Sequence, residues 1–430
     1  MIVLETIADS IAPTGEARPI ALRTWTARDG LQARLSRAGG GLVAQSSGSP
    51  GCFGGWDIVF AAKAGTWYSV GLDYRAEGME SVLDGMPLLV FWEDDAGERV
   101  DYDYLMIHDS PSEGRAQRAF RCPDSATHCV LRAGVRWTAT GRAEFSRPEL
   151  TPVEAPAPRI HRIAVASEQP RAPKSVPDNV AQYARLARDA AKQYRPALLL
   201  LPEIILQLGL ERPAWQHAIE IPSPETDAFA EVAREHEMMI AFSTEERDGD
   251  LYYNTMVVFG PDGAIIATYR KTHLAVMEGW EGVTPGDELP VLDTPLGRIG
   301  CTICKDSSLL DSTRVPAKHG IELMLLSIMG DHRAVQWGWA PGTFSPDRWQ
   351  VIMRARAIEN HIWMVIARNN GEGSCIIAPS GDILAWNAGR QRIIAADCDL
   401  GEELRTFRGS TFRDSTWAER RPQLYPDRPA

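Results

Sequence analysis

The chain has 430 residues, 44% of them hydrophobic, which is ample for a large core and more than one ordinary domain expects. A net charge of −12 and a pI near 5.3 disfavour phosphate backbones and anionic lipid, so neither a nucleic-acid nor a membrane partner is expected. The N-terminus lacks the basic region of a signal peptide, and the greasiest stretch, residues 197–210, is too short to span a bilayer and carries Glu203.

Residues 1–150 alternate with period two, the mark of strands with one buried face. In WYSVGLDY, Tyr68, Val70, Leu72 and Tyr74 share a face. PLLVFWEDDAGERV reads as strand, turn at Asp95–Gly97, strand; HCVLRAG and RAEFSRPEL read as further strands. An all-β sandwich follows. Trp25, Trp56, Trp67 and Trp137 lie in these alternating segments and are expected in its core. The Pro-rich stretch 151–158 reads as a linker.

From residue 159 the pattern changes to interleaved strands and helices. RIHRIAVAS is a strand, and DNVAQYARLARDAAKQY a helix capped by Asp178. The continuous run ALLLLPE is a strand buried on both faces. Helix ETDAFAEVAREHE and strand MMIAFSTEE follow, then a hairpin across Pro261–Gly263, strand GRIGCTICKD, a weaker helix, and strand IELMLLSI. DRWQVIMRARAIENH is a helix, IWMVIARN a strand, and a second hairpin turns at Ser380–Gly381. The result is a layered α/β domain over 159–405, with residues 406–430 a polar C-terminal arm.

Seven cysteines, odd and sparse, do not make a disulfide framework and fit a cytoplasmic protein. Cys304 ends a strand, where α/β sheets bind ligands, and a thiolate there is a nucleophile; a core cysteine is the alternative. Cys301 and Cys304 also spell C-x-x-C, a redox or zinc signature, but strand positions i and i+3 point to opposite faces. Glu203 is a carboxylate at the end of an apolar run, a candidate general base or a residue merely emerging at the surface. Lys271 and His273, in YRKTHL, are by themselves an ordinary surface lysine and a structural histidine.

Together these segments resemble the nitrilase superfamily of carbon–nitrogen hydrolases. Pro202–Glu203, YRKTHL at 269–274 and GCTICKD at 300–306 are similar to its three catalytic motifs in order and spacing. NTMVVFGPDGAIIATYRK, EGWEGVTPGD, RARAIENHIWMVIARNNG, CIIAPSGDILAW and AADCDL resemble its structural segments. The resemblance implies a four-layer α-β-β-α sandwich, Cys304 as nucleophile, Glu203 as general base, Lys271 for the oxyanion, and Glu278 (or its neighbour Glu281) as a second glutamate. It implies no metal or organic cofactor. Lys305–Asp306 replaces the Trp-Glu of true nitrilases and tilts the expected small-molecule substrate from nitriles toward amides. The Phe-Pro-Glu that often opens the next helix is replaced by SSLLDSTRVP, where Pro316 predicts a kink. Lys305, His332, Arg333, Trp337 and Trp339 are candidate substrate-binding residues, with a packed surface loop as the alternative.

The front domain resembles carbohydrate-binding and galactose-binding-like modules, which implies a jelly-roll-like sandwich and a glycan ligand. The hydrolase resemblance implies a homo-oligomer. Two other functions compete with hydrolysis: the same thioester passed to an acceptor amine, and a glycan-binding protein with an inert hydrolase domain.

Overall fold

A computed structural model describes residues 17–79, 81–107, 111–168, 173, 175–334, 343–406 and 409–421. The chain divides into two compact units, residues 158–402 and the remainder on either side of them.

In the first unit the strands are β1 (Ala21–Thr26), β2 (Arg34–Ala38), β3 (Gly41–Gln45), β4 (Phe53–Ala61) and β5 (Trp67–Glu77). After a single helical turn, α1 (Val82–Gly85), come β6 (Leu88–Glu93), β7 (Arg99–Tyr104), β8 (Glu113–Arg121), β9 (His128–Arg136) and β10 (Arg142–Val153). They form two five-stranded antiparallel sheets, ordered β1-β4-β9-β6-β7 and β2-β3-β10-β5-β8, over one core. Tyr68, Val70, Leu72 and Tyr74 all enter that core, as period two requires.

Three expectations change here. Of the four tryptophans only Trp56 is buried, donating Nε1–H to the Val43 carbonyl at 3.0 Å. Trp25 and Trp137 instead sandwich Phe53, with ring centroids 5.1 and 5.9 Å apart, under the guanidinium groups of Arg132 and Arg136; Trp67 is half-buried. The linker is shorter than expected, because β10 stays paired with β5 through Val153. β3 covers β10 only as far as Phe145, so Pro152 lies where that side of β10 has no strand, and its missing N–H costs no ladder bond. The C-terminal segment is also more than an arm. It forms β23 (Arg405–Thr406), β24 (Gly409–Thr411) and α7 (Phe412–Ala418), and buries Trp417 and Ala418. Arg118 pairs with Glu403 and Asp414, Arg405 with Asp103, and Arg136 donates to the Ala418 carbonyl at 2.7 Å. A chain ending at Glu402 loses these ion pairs together with the burial of Trp417 and Ala418. Its sandwich transition in thermal or urea unfolding is expected to weaken by about 3–5 kcal/mol.

The second unit opens with β11 (Ile160–Ala166), α2 (Val176–Tyr194), β12 (Leu198–Leu200), α3 (Pro224–His236), β13 (Met239–Asp248), β14 (Leu251–Phe259), β15 (Ile265–Arg270) and α4 (Val276–Glu281). It continues through β16 (Leu292–Thr294), β17 (Gly297–Ile303), α5 (Asp311–Lys318), β18 (Leu323–Ile328), α6 (Pro346–Asn360), β19 (Trp363–Arg368), β20 (Cys375–Ile377), β21 (Ile383–Trp386) and β22 (Ile393–Asp399). Two mixed six-stranded sheets result, β15-β14-β13-β12-β11-β22 and β16-β17-β18-β19-β20-β21. They pack face to face through Leu198, Leu200, Ile299, Ile303, Leu323 and Leu325. Leu199 and Leu201 point the other way, under Tyr183 and Leu186 of α2 and Phe229 of α3. That explains the unbroken apolar run before Glu203: β12 is covered on both faces. Cys301 is buried between the sheets, and all seven cysteines are free.

The cap of α2 is Ser175, not Asp178: the Ser175 hydroxyl accepts from the Asp178 N–H. Pro177 occupies the first turn, where a missing N–H is tolerated, so the helix starts earlier than its apolar periodicity. Pro316 lies inside α5, which ends two residues later.

Candidate active site

Glu203 lies just beyond β12, Lys271 just beyond β15 and Cys304 just beyond β17, so both sheets deliver a side chain to one end of the β-sandwich. Glu203 is 2% exposed and Lys271 1%. Lys271 Nζ donates to Glu203 Oε1 at 3.1 Å and to both Glu278 oxygens at 2.7 Å. Glu278, rather than Glu281, makes this contact; its Oε2 also accepts from the Ala275 N–H at 2.6 Å, which braces α4 at its start. Burial pulls the Lys271 ammonium toward neutrality, but Glu203, Cys304 and Glu278 outweigh it and hold its pKa above the ordinary lysine value.

Glu203 is fixed from three sides. Oε2 accepts from the Met329 N–H at 2.8 Å, Oε1 from Asn254 Nδ2 at 3.0 Å, and its carbonyl from Asn369 Nδ2 at 2.7 Å. Asn254 also donates to Glu278 at 3.1 Å and accepts from the Ser243 hydroxyl at 2.9 Å. Sequence reasoning passed over Asn254; the available signal was an amide, next to Thr255, leading into the apolar run MVVF.

Cys304 opens a 3₁₀ turn, Cys304–Ser308, with φ of 44°, a left-handed conformation that costs a non-glycine residue about 1–2 kcal/mol. Asp306, fully buried, clamps the turn. It accepts from the Ile303 N–H at 2.8 Å, the Tyr269 hydroxyl at 2.7 Å and the His273 N–H at 3.0 Å, tying the turn to the segment that carries Lys271. Asp306 therefore faces the scaffold, and His273 Nδ1, 2.9 Å from its Oδ1, belongs to the same knot. The Cys304 thiol lies within hydrogen-bonding reach of Glu203 and donates weakly to the Gly330 carbonyl at 3.7 Å. Burial, followed by the Glu203 charge, raises its pKa, so the resting form is the thiol beside a carboxylate able to take its proton.

Among the candidate substrate-binding residues, Lys305 is exposed. Arg333 donates to Asp331 at 3.0 Å and to the Ser307 carbonyl at 2.6 Å, so its guanidinium braces the turn after Cys304. Trp337, Trp339 and the His332 side chain lie outside the described residues. Among the described residues no cluster of His, Cys, Asp or Glu is arranged to hold a metal, and no helix is long and apolar enough to cross a membrane.

The carbon–nitrogen hydrolase family model matches residues 162–406, more than half the chain. The chain belongs to the carbon–nitrogen hydrolase family. Human omega-amidase NIT2 is 29% identical over 245 residues, covering 52% of this chain and 83% of that protein. The fold matches a carbon–nitrogen hydrolase from Helicobacter pylori G27, with a TM-score of 0.52 and 21% identity over 63% of this chain and 98% of that one. It also matches the C. elegans NitFhit protein, with a TM-score of 0.50 and 23% identity over 62% of this chain and 66% of that one.

Glu245 is the other acid that sequence reasoning did not single out. It is 3% exposed, and burial, then the Glu278 and Glu203 charges, push its carboxyl up to about 8. The unfolded carboxyl titrates near its ordinary 4.5, so the folded state holds an extra proton between the two values. Stability is therefore expected to fall as pH rises from 5 to 8. Thermal melts across that range should show a smaller fall for Glu245→Gln than for the wild-type chain.

Proposed function

We propose that this carbon–nitrogen hydrolase cleaves a non-peptide amide or carbamoyl amide through a thioester on Cys304, with Glu203 as acid–base and Lys271 as oxyanion donor. The supporting observation is the single ammonium of Lys271 held between Glu203 and Glu278, with the Cys304 thiol beside them. Glu203 takes the thiol proton as sulfur bonds to the carbonyl carbon. Lys271 and the Lys305 N–H stabilise the oxyanion, a contribution of about 3–4 kcal/mol per donor. On collapse the C–N bond breaks and Glu203 returns the proton to the leaving nitrogen. Glu203 then deprotonates water, which attacks the thioester; the C–S bond breaks and sulfur regains a proton. Glu278 positions Lys271. The 29% identity to an omega-amidase supports an amide rather than a nitrile as substrate.

Incubation with a panel of small amides should release ammonia and leave a mass increment on Cys304 when quenched early. Failure of every amide to acylate Cys304 would sink the proposal; acyl transfer to an added amine, with no free acid formed, would replace hydrolysis by acyltransfer. The sandwich unit we read as a jelly-roll-like, galactose-binding-like module with a glycan ligand. The seven unpaired cysteines support a cytoplasmic setting, and the exposed Val351 and Ile358 on α6 support a homo-oligomer.

A further inference from the structure

Cross-strand partners in an antiparallel pair project to the same side, and Glu245 of β13 stands directly opposite Asn254 of β14. Along β13, Ala241, Ser243 and Glu245 share that side. Ala241 enters the core between the two sheets, and the Ser243 hydroxyl donates to Asn254 Oδ1. Glu245 thus ends the same row, at the level where Asn254 donates to Glu203 and Glu278. Lys271 divides its ammonium between those two carboxylates. Glu245 receives no share of it, and its Oε2 is buried without a hydrogen-bond partner. The charged groups acting on it are Glu278 on α4, Glu203 after β12, Lys271 after β15 and the exposed Arg212. Its backbone is held independently: the N–H donates to Gln207 Oε1 at 3.0 Å and the carbonyl accepts from the Ile219 N–H at 3.0 Å.

This end of the sheets therefore carries three carboxyl groups around one lysine, with a buried oxygen of Glu245 still lacking a partner. A buried acceptor without a partner is costly, and a ligand that supplies the donor recovers that cost. We propose that Glu245 is a specificity-determining residue whose free oxygen accepts a hydrogen bond from an ammonium or N–H group on the acyl side of the substrate, so that the enzyme prefers amino-substituted amides. The ammonium also offsets the excess negative charge of the cluster and draws Glu245 into its ionised form. An amide whose acyl chain carries a carboxylate adds a further negative charge beside Glu203 and Glu278 and is disfavoured. The inference rests on the amide-hydrolase reading above and adds the substrate class.

The test compares three amides of equal chain length, ending in an ammonium, a methyl and a carboxylate, by kcat/KM on the full chain. The wild-type enzyme should prefer the ammonium amide over the methyl amide by about tenfold or more, seen chiefly in KM. In Glu245→Gln that ratio should fall toward one, and Glu245→Asp should restore part of it; a residue that only supports the fold would lower all three rates together and leave the ratio intact. Equal wild-type rates for the ammonium and methyl amides, preference for the carboxylate amide, or a ratio unaltered in Glu245→Gln would each overturn the assignment while leaving amide hydrolysis standing. Absence of Cys304 acylation by all three would overturn both. The wild-type ratio alone decides the matter if the variants do not fold.

Discussion

Cys304→Ala is expected to lower turnover by at least about 10⁴-fold while leaving the melting profile of the protein in place, because removal of a covalent nucleophile eliminates the pathway rather than slowing it. The comparison with Cys304→Gly sharpens the expectation. Cys304 has φ of 44°, and a Cβ at that conformation is strained whether it carries sulfur or hydrogen. Cys304→Gly should therefore be equally inactive yet about 1 kcal/mol more stable than Cys304→Ala. Steady-state kinetics and urea unfolding separate the two effects. A thiol-directed substrate analogue should mark Cys304 before the other six cysteines, which are all buried. Turnover that survives Cys304→Ala would remove the mechanism.

Lys271→Met carries the second large effect, and it reaches stability as well as rate. Its ammonium is the cation to which both Glu203 and Glu278 are hydrogen-bonded, inside a site where Glu203 and Lys271 are almost fully shielded from water. Deleting one partner of a buried pair leaves uncompensated charge, at a cost of about 3–5 kcal/mol. Loss of the oxyanion donor adds a fall of about 10²–10³ in kcat. The stability deficit has a pH signature: without the lysine, the facing carboxylates bind a proton more readily in the folded than in the unfolded state. Lys271→Met should therefore recover stability as pH is lowered from 7.5 to 5, relative to the wild-type chain. A variant as stable as the parent at pH 7.5 would show that the two carboxylates do not depend on the lysine.

The relation between Lys271 and its neighbours also marks what could be read in advance. Hydrophobic period two in WYSVGLDY foretold which side of β5 faces the core, because side-chain alternation in a strand is a local property. The run Leu198–Leu201 foretold a strand covered on both sides for the same reason. Glu203, Lys271, Glu278 and Cys304 were legible through their motifs; Glu203, Lys271 and Cys304 follow strands that the sequence already marked, whereas Glu278 lies in α4, which it did not. Local sequence was less informative where pairing partners decide. β10 runs on through Pro152 because no strand lies on its other side at that level, and the C-terminal residues join the sandwich unit through ion pairs formed across hundreds of positions.

By itself, then, the sequence determined the alternation of buried faces, most of the order of strands and helices, and the three side chains that gather around Lys271. Tertiary structure alone decided which polar residues support them. Asn254 looks ordinary in the chain and Asp306 stands out there only as a departure from the nitrilase pattern, yet one amide joins Glu203 to Glu278 and one carboxylate locks the Cys304 turn to the segment bearing Lys271. Glu245 and Glu246 are adjacent in sequence, and alternation sends them to opposite sides of β13. Glu246 meets Arg270 at 2.7 Å, while Glu245 is left beside the site with an unpartnered oxygen. The physical reason is that a hydrogen bond or ion pair requires two groups brought together by the packing of distant strands. Hydrophobic pattern is written along one strand at a time, whereas the partners of a buried charge are set only when the sheets close.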